Sequence, residues 1–315
     1  MSDTTNISWC DATWNPWRGC SKVSPGCKNC YARNLVNRFG GDFSKRTKAA
    51  PATFNAPLRW NKSDTICQLG YESAVGAGKW VVEMCASYGM TKPRRRRVFL
   101  GSLMDWLDPE VPIEWLADVL DIVRRCPGLD FLMLTKRPQL WRSRLAEAGP
   151  YLTNGFPVNW LHEGTPPPNV WIGTSVEDQQ RADERIPELL RIPAAVRFLS
   201  VEPLLKPVDL SSGTYASNGM GVVWDAFGRV AHTPHCDYTA KGLTPPAGPG
   251  VSWVIVGGES GHNRRDCGVD AIINVHDQCR AAGVPCFVKQ DCAAKPGQQG
   301  RIPENVWKCK EFPIT

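Results

Sequence analysis

Phe131-Leu132-Met133-Leu134-Thr135-Lys136-Arg137 is an apolar run that stops abruptly at two cations and is followed by a helical pattern. The unit recurs. Val98-Phe99-Leu100-Gly101-Ser102 leads to Asp105, and Val170-Trp171-Ile172-Gly173-Thr174-Ser175 leads to Glu177. Arg197-Phe198-Leu199-Ser200-Val201-Glu202, Trp253-Val254-Ile255-Val256-Gly257-Gly258-Glu259 and Pro285-Cys286-Phe287-Val288-Lys289-Gln290 likewise end in polar residues. Short, continuously apolar strands bounded by helices belong to a parallel sheet covered on both faces. With a first strand near Ile7-Ser8-Trp9-Cys10, the sequence predicts an α/β fold of about six to seven parallel strands. A partial (β/α) barrel is the economical architecture, and a doubly wound open sheet is its rival. Either way the functional surface lies beyond the C-terminal strand ends, where the polar residues collect.

The spacing of apolar residues predicts crossover helices over Ile113–Cys126, Gln139–Ala148, Gln179–Leu190 and Val269–Ala282. Leu116, Val119, Leu120 and Val123 mark one buried stripe on the first of them. Pro187 is expected to divide the third helix. Residues 1–315 read as a single barrel-like domain with three departures from the alternation. These are an irregular, weakly helical insertion over 40–92, a Gly-, Ser-, Thr- and Pro-rich loop or small lobe over 207–250, and a polar C-terminal extension over 289–315.

Composition is that of an ordinary folded protein, with 42% hydrophobic and 22% charged residues. No apolar run approaches the roughly 20 residues a membrane span needs, and Met1-Ser2-Asp3-Thr4-Thr5-Asn6 lacks a secretory layout. The expectation is a cytoplasmic protein with no membrane partner. Thirteen cysteines is an odd number in a chain too long to need a disulfide framework. Cys85, Cys126, Cys279 and Cys286 lie in apolar or helical surroundings that suit a small buried hydrophobe. A net charge of +6 permits an anionic partner. Arg94-Arg95-Arg96-Arg97 could contact nucleic-acid phosphates or form a solvated entry to a strand.

The chemistry-bearing motif is Cys20-Ser21-Lys22-Val23-Ser24-Pro25-Gly26-Cys27-Lys28-Asn29-Cys30, a C-x6-C-x2-C pattern leading into a helix that starts near Tyr31. Cys27 and Cys30 are close enough for one turn to direct both at a metal, and Pro25-Gly26 can turn Cys20 back toward them. Three clustered thiolates leave one coordination position for a non-protein ligand. Trp9, Trp14 and Trp17 crowd the motif, as core residues or as a water-excluding wall.

This sequence resembles an uncharacterised, phage-associated family of three-cysteine-motif proteins, which in turn is similar to the radical S-adenosylmethionine superfamily. The resemblance covers nearly the whole chain. It rests on Trp14-Asn15-Pro16-Trp17-Arg18-Gly19-Cys20, Ser24 to Ala32, Leu134-Thr135-Lys136-Arg137-Pro138, Trp171 to Asp178, Leu199 to Leu204 and Val254 to Gly261. The resemblance implies a [4Fe-4S] cluster on Cys20, Cys27 and Cys30, with S-adenosylmethionine on the fourth iron. It implies reductive cleavage to a 5'-deoxyadenosyl radical, an electron donor such as flavodoxin or ferredoxin, and modification of a substrate, nucleic acid or nucleotide among the candidates.

The first cysteine spacing is three residues longer than the superfamily's C-x3-C-x2-C. A zinc-containing nucleic-acid-binding or processing protein, with Cys10 as the fourth ligand, therefore remains the alternative, and a structural or redox-sensing cluster on a noncatalytic barrel is a third reading. Where the superfamily carries Gly-Gly-Glu, this chain has Gly101-Ser102-Leu103-Met104-Asp105, so Asp105 is a candidate for the methionyl amine and Ser102 for another cofactor contact. Lys136 and Arg137 could hold a carboxylate or phosphate, or could pair with Glu177, Glu202 or Glu259. Ser175 and Glu177 are candidates for ribose hydroxyls, Glu202 and Glu259 for further polar contacts, and Gly257 and Gly258 for close approach of a ligand to the backbone. His232, His235 and Cys236 form a second possible metal group.

Overall fold

A computed structural model describes residues 5–62, 94–152, 156–217, 220–228 and 250–314. Its centre is a curled, all-parallel sheet of seven strands forming a half-barrel. In spatial order the strands are β1 (Ala12–Trp14), β4 (Arg96–Leu100), β5 (Leu129–Thr135), β6 (Val170–Ser175), β7 (Val196–Leu204), β10 (Trp253–Gly258) and β11 (Cys286–Gln290). Two small antiparallel ribbons accompany it: β2 (Trp17–Arg18) with β3 (Thr47–Lys48), and β8 (Gly213–Ser217) with β9 (Met220–Trp224). The helices are α1 (Tyr31–Arg38), α2 (Pro51–Phe54), α3 (Ile113–Arg125), α4 (Trp141–Ala148), α5 (Phe156–His162), α6 (Gln179–Leu190), α7 (Val269–Ala282) and α8 (Glu304–Trp307), with a further helical run over 56–62.

Alternation along the strands divides the core in two. Val98, Leu100, Phe131, Met133, Ile172, Leu199 and Val254 pack outward with the apolar stripes of α3, α6 and α7. Phe99, Leu132, Trp171, Phe198, Trp253, Ile255 and Phe287 face the hollow and, with Trp9 and Cys10, make an aromatic floor. Continuing the same alternation toward the C-terminal ends puts Ser175, Ser200, Glu202 and Lys289 on the hollow side above that floor. The hollow therefore changes from aromatic to polar along its axis.

Several expectations meet corrections. The first strand is Ala12–Trp14 rather than Ile7–Cys10, whose Trp9 and Cys10 are instead part of the floor. Pro187 does not divide the third helix: α6 runs unbroken from Gln179 to Leu190. Its cost in one backbone hydrogen bond is offset by burial of Pro187 with Ile186, Leu189 and Leu190 on the core face. The fourth α-helix starts at Trp141, after a tight turn over Pro138–Leu140. Gly283 caps α7 in the left-handed conformation, as its position suggests.

The extension after β11 serves both ends of the half-barrel. Asp291 and Arg301 sit near the top, while Phe312 packs into the floor against Trp253 and Phe287, with ring centroids 5.3 Å and 5.4 Å away. Trp14 and Trp17 are fully buried, and Cys126, Cys279 and Cys286 are core residues. Cys85, residues 63–92 of the irregular insertion and the group His232, His235 and Cys236 lie outside the described residues.

Candidate functional site

The loop carrying Cys20, Cys27 and Cys30 lies across the C-terminal strand ends, and it is fixed there residue by residue. Gly19, at φ 107°, brings the chain so close to the ribbon partner that a Cβ would stand 2.2 Å from the Lys45 carbonyl oxygen. Cys20 N–H donates to Phe43 O. A single 3-10 turn over Pro25–Cys27 then delivers Cys27, and Cys30 stands at the start of α1. Cys20 and Cys30 pack against the small apolar patch of Ala32, Val36, Phe43 and Leu103.

Charged residues from successive strand ends close on this loop. After β4, buried Asp105 accepts from Thr135 Oγ1, Leu107 N, Lys136 N and Arg137 Nη1. Arg137, after β5, donates in turn to Ser21 O at 3.0 Å and to Cys20 Sγ at 3.6 Å. Arg46 holds Ser21 Oγ together with Asp108 and Glu110. After β6, Glu177 is fully buried, is paired with Arg185 of α6 at 2.8 Å, and accepts from Ser24 Oγ and Gly26 N. A Cβ on Gly26 would come within 2.8 Å of that carboxylate, so a larger residue would have to displace it. After β10, Glu259 accepts from Asn29 Nδ2 and is gripped by Arg265, whose Nη1 reaches Pro25 O at 3.0 Å.

Lys136 and Arg137 therefore do not pair with Glu177, Glu202 and Glu259 in the pattern the sequence suggested: Arg137 takes Asp105, while Glu202 takes Lys289 at 2.9 Å. Gly257 makes room for the Glu202 carboxylate, and Gly258 for Cys292 Sγ. Ser102 accepts from Asn15 Nδ2, and its carbonyl from Tyr31 Oη. Tyr31 is 57% exposed, with its Oη on the Ser102 carbonyl at 2.7 Å. Desolvation raises its phenol, with Cys30, Glu202 and Cys10 adding to the effect. Ser175 is buried at the end of β6, its carbonyl accepting from Arg185.

The thiols differ in electrostatics. Burial and the Asp105 charge push Cys20 up to about 12, against the pull of Arg137. For Cys27 burial acts upward, but the Lys136 charge and hydrogen bonds from Val23, Ser24 and the Ser24 hydroxyl outweigh it and bring the thiol below its ordinary value. In Glu177 the same contest is won by Lys136, Arg185 and Ser24 over burial, and the carboxyl is lowered.

Among the described residues, one group of three has its ligand atoms within 4.8 Å of one another: Asp266, Cys267 and Cys292. Cys20, Cys27 and Cys30 are not such a group, so at least one pair of their sulfurs is farther apart than that. Three donors on one zinc ion would lie about 3.8 Å apart, given Zn–S bonds of roughly 2.3 Å. Ligands of a cubane bind separate irons and must be wider spaced. Cys10 does not join the trio; it is buried in the floor with its thiol on Ile7 O, and burial holds it at about 12. Nor does the arginine run face this site. At the opposite strand ends, Arg94 forks onto Asp11, Arg95 meets Asp130, and Arg97 stacks on Phe312 at 3.6 Å.

Sequence reasoning missed Asn29, Arg46, Asp108, Arg185 and Arg265. Arg185 had a readable signal: it sits among Ala182, Ile186 and Leu189 on a stripe that is otherwise apolar. A charge there implies a buried partner.

Residues 4–306 match the family described as a protein of unknown function, DUF5131. The chain belongs to that family. The family's description names no activity and no phage association. No curated protein and no solved structure matches the chain. Among the described residues no helix is long and apolar enough to cross a membrane.

Proposed function

We propose that this member of the family is an iron-sulfur enzyme of radical S-adenosylmethionine type. The observation that carries the reading is the fixing of the three-thiol loop at the open, C-terminal end of a parallel half-barrel by Asp105–Arg137, Glu177–Arg185 and Glu259–Arg265. Cys20, Cys27 and Cys30 would hold a [4Fe-4S] cluster: three soft donors on one fixed loop, beside the cations Arg137 and Lys136 that offset thiolate charge. When bound, the cluster supplies one electron to the sulfonium of S-adenosylmethionine.

The chain's own residues then have separate tasks. Arg137 positions Cys20 through its sulfur and through Ser21, Glu177 positions Ser24 and Gly26, and Glu259 with Arg265 positions Pro25 and Asn29. Above the aromatic floor, Lys136, Ser175, Ser102 and the Glu202–Lys289 pair offer the polar contacts for the cofactor's amino acid and ribose. The floor excludes water from below, which suits a reactive intermediate. A nucleotide or nucleic-acid substrate would enter from the open top, supported by the overall charge of +6 and not by the Arg94–Arg97 run. An external one-electron donor of flavodoxin or ferredoxin type completes the scheme.

Anaerobic reconstitution with iron and sulfide tests this. The expected result is about four irons per chain, lost in Cys27→Ala, and an electron paramagnetic resonance signal that shifts when S-adenosylmethionine is added. Stoichiometric zinc with no such shift sinks the proposal in favour of the zinc reading.

A further inference from the structure

Two cysteines outside the motif touch. Cys267 Sγ and Cys292 Sγ are 3.4 Å apart across 25 residues of sequence, and the Cys267 N–H also points at Cys292 Sγ, at 3.5 Å. Cys292 follows β11, where its own N–H is held by Asp291 Oδ1 at 2.6 Å, and Gly258 leaves the space its sulfur fills. Both thiols are only partly buried. Asp266 lies close enough to complete a cation site, but its two oxygens each accept from Arg301 at 2.8 Å, and the same guanidinium holds Asp291. With both Asp266 oxygens already engaged by a guanidinium, the third ligand is not free for a metal ion. Two thiols in contact remain.

We propose that Cys267 and Cys292 form a redox-active dithiol, oxidised by low-molecular-weight disulfides, whose closure locks the segment that grips the cysteine loop. The Cys292 thiolate attacks one sulfur of the disulfide RS–SR, giving a Cys292–SR mixed disulfide and releasing RS⁻. Cys267, losing its proton to solvent, then attacks the Cys292 sulfur and expels the second RS⁻. Two protein thiols are oxidised and one small disulfide is reduced to two thiols. Cys292 is the attacking group because the Cys267 backbone N–H donates to its sulfur, and the thiol–thiol contact lowers Cys292 against burial while raising Cys267. The charged neighbours are Asp266, Asp291, Arg301 and Arg264, whose Nε donates to Cys292 O at 3.3 Å, so two carboxylates stand against two guanidinium groups. The mechanical link is Arg265, which lies two residues before Cys267, donates its N–H to Glu259 and reaches Pro25 O. An S–S bond of about 2.05 Å would tie that segment to the end of β11. The proposal stands independently of the iron-sulfur reading.

The test is titration of the full-length protein with oxidised glutathione at neutral pH, followed by an acid quench, digestion without reductant and mass mapping. A Cys267–Cys292 linked peptide is expected, with slower hydrogen exchange at the Arg265 amide in the oxidised protein. Cys267→Ser should accumulate glutathione on Cys292, while Cys292→Ser should modify Cys267 about ten-fold more slowly. The proposal is overturned if both residues are alkylated as free thiols after the oxidant has linked other cysteines. It is equally overturned if zinc bound at one per chain protects them and is lost in both variants.

Discussion

The two ends of the half-barrel are built from different forces. At the N-terminal strand ends, Trp9, Phe99, Trp171, Phe198, Trp253 and Phe287 close the hollow by burying rings against one another. At the C-terminal ends, buried ion pairs reach over the rim to a single loop. Ring burial is non-directional and excludes water. Charge-assisted hydrogen bonds are directional, and a buried pair contributes little net stability while fixing geometry closely. The floor thus seals the hollow by burial, and the rim sets where three sulfurs stand.

The sharpest attempt to break that contrast removes Trp253, which touches Trp9, Trp171, Phe198, Phe287 and Phe312. Trp253→Ala should lower the urea-unfolding free energy by about 3–5 kcal/mol. A loss under about 1 kcal/mol would mean the floor is not the stabilising end. Next, Arg185→Met strands the buried Glu177 charge and should cost about 3 kcal/mol. The double variant Glu177→Gln with Arg185→Met should recover more than half of that, and simple additivity would show that the pair is not coupled.

Acid sharpens the same distinction. The Glu177 carboxyl is lowered in the fold against burial by Lys136, Arg185 and Ser24. The Glu259 carboxyl is likewise lowered against burial, chiefly by Arg265 and Asn29. Each contributes stability that is complete above the unfolded carboxylate value of about 4.3 and lost as pH falls through the depressed folded value. Wild-type stability should therefore drop below about pH 4 more steeply than that of Glu259→Gln, measured by urea midpoints across pH 3–7; parallel curves would remove Glu259 from the account. The smallest effect belongs to Arg94→Ala. Its pair with Asp11 is 59% exposed on the arginine side, so the loss should stay below about 1 kcal/mol and shrink in high salt.

These elements also show how far the chain could be read without its structure. The strand runs and the limits of α6 and α7 were legible because continuous apolar stretches and a 3.6-residue stripe are local properties. β1 was displaced because a strand of three residues carries too little pattern, and Trp9 reads equally as strand or plug. The cysteine loop and the polar strand ends were legible as a set, but not who pairs with whom. Glu177 meets Ser24 across 153 residues and Glu259 meets Asn29 across 230. Which carboxylate finds which cation is decided by strand order and loop reach, and neither is written in the local pattern.

The floor joins chain segments made far apart in time. Trp9 and Phe312 belong to one aromatic layer, with Trp253 Nε1 donating to Glu311 O beside them. On a ribosome, the first of these rings emerges long before the last, so the layer can only assemble once the segment that carries Phe312 has been released. Until then several tryptophans wait with nothing to cover them. Chain synthesis must pass through a stage in which the cysteine loop exists but the hollow beneath it is still unsealed.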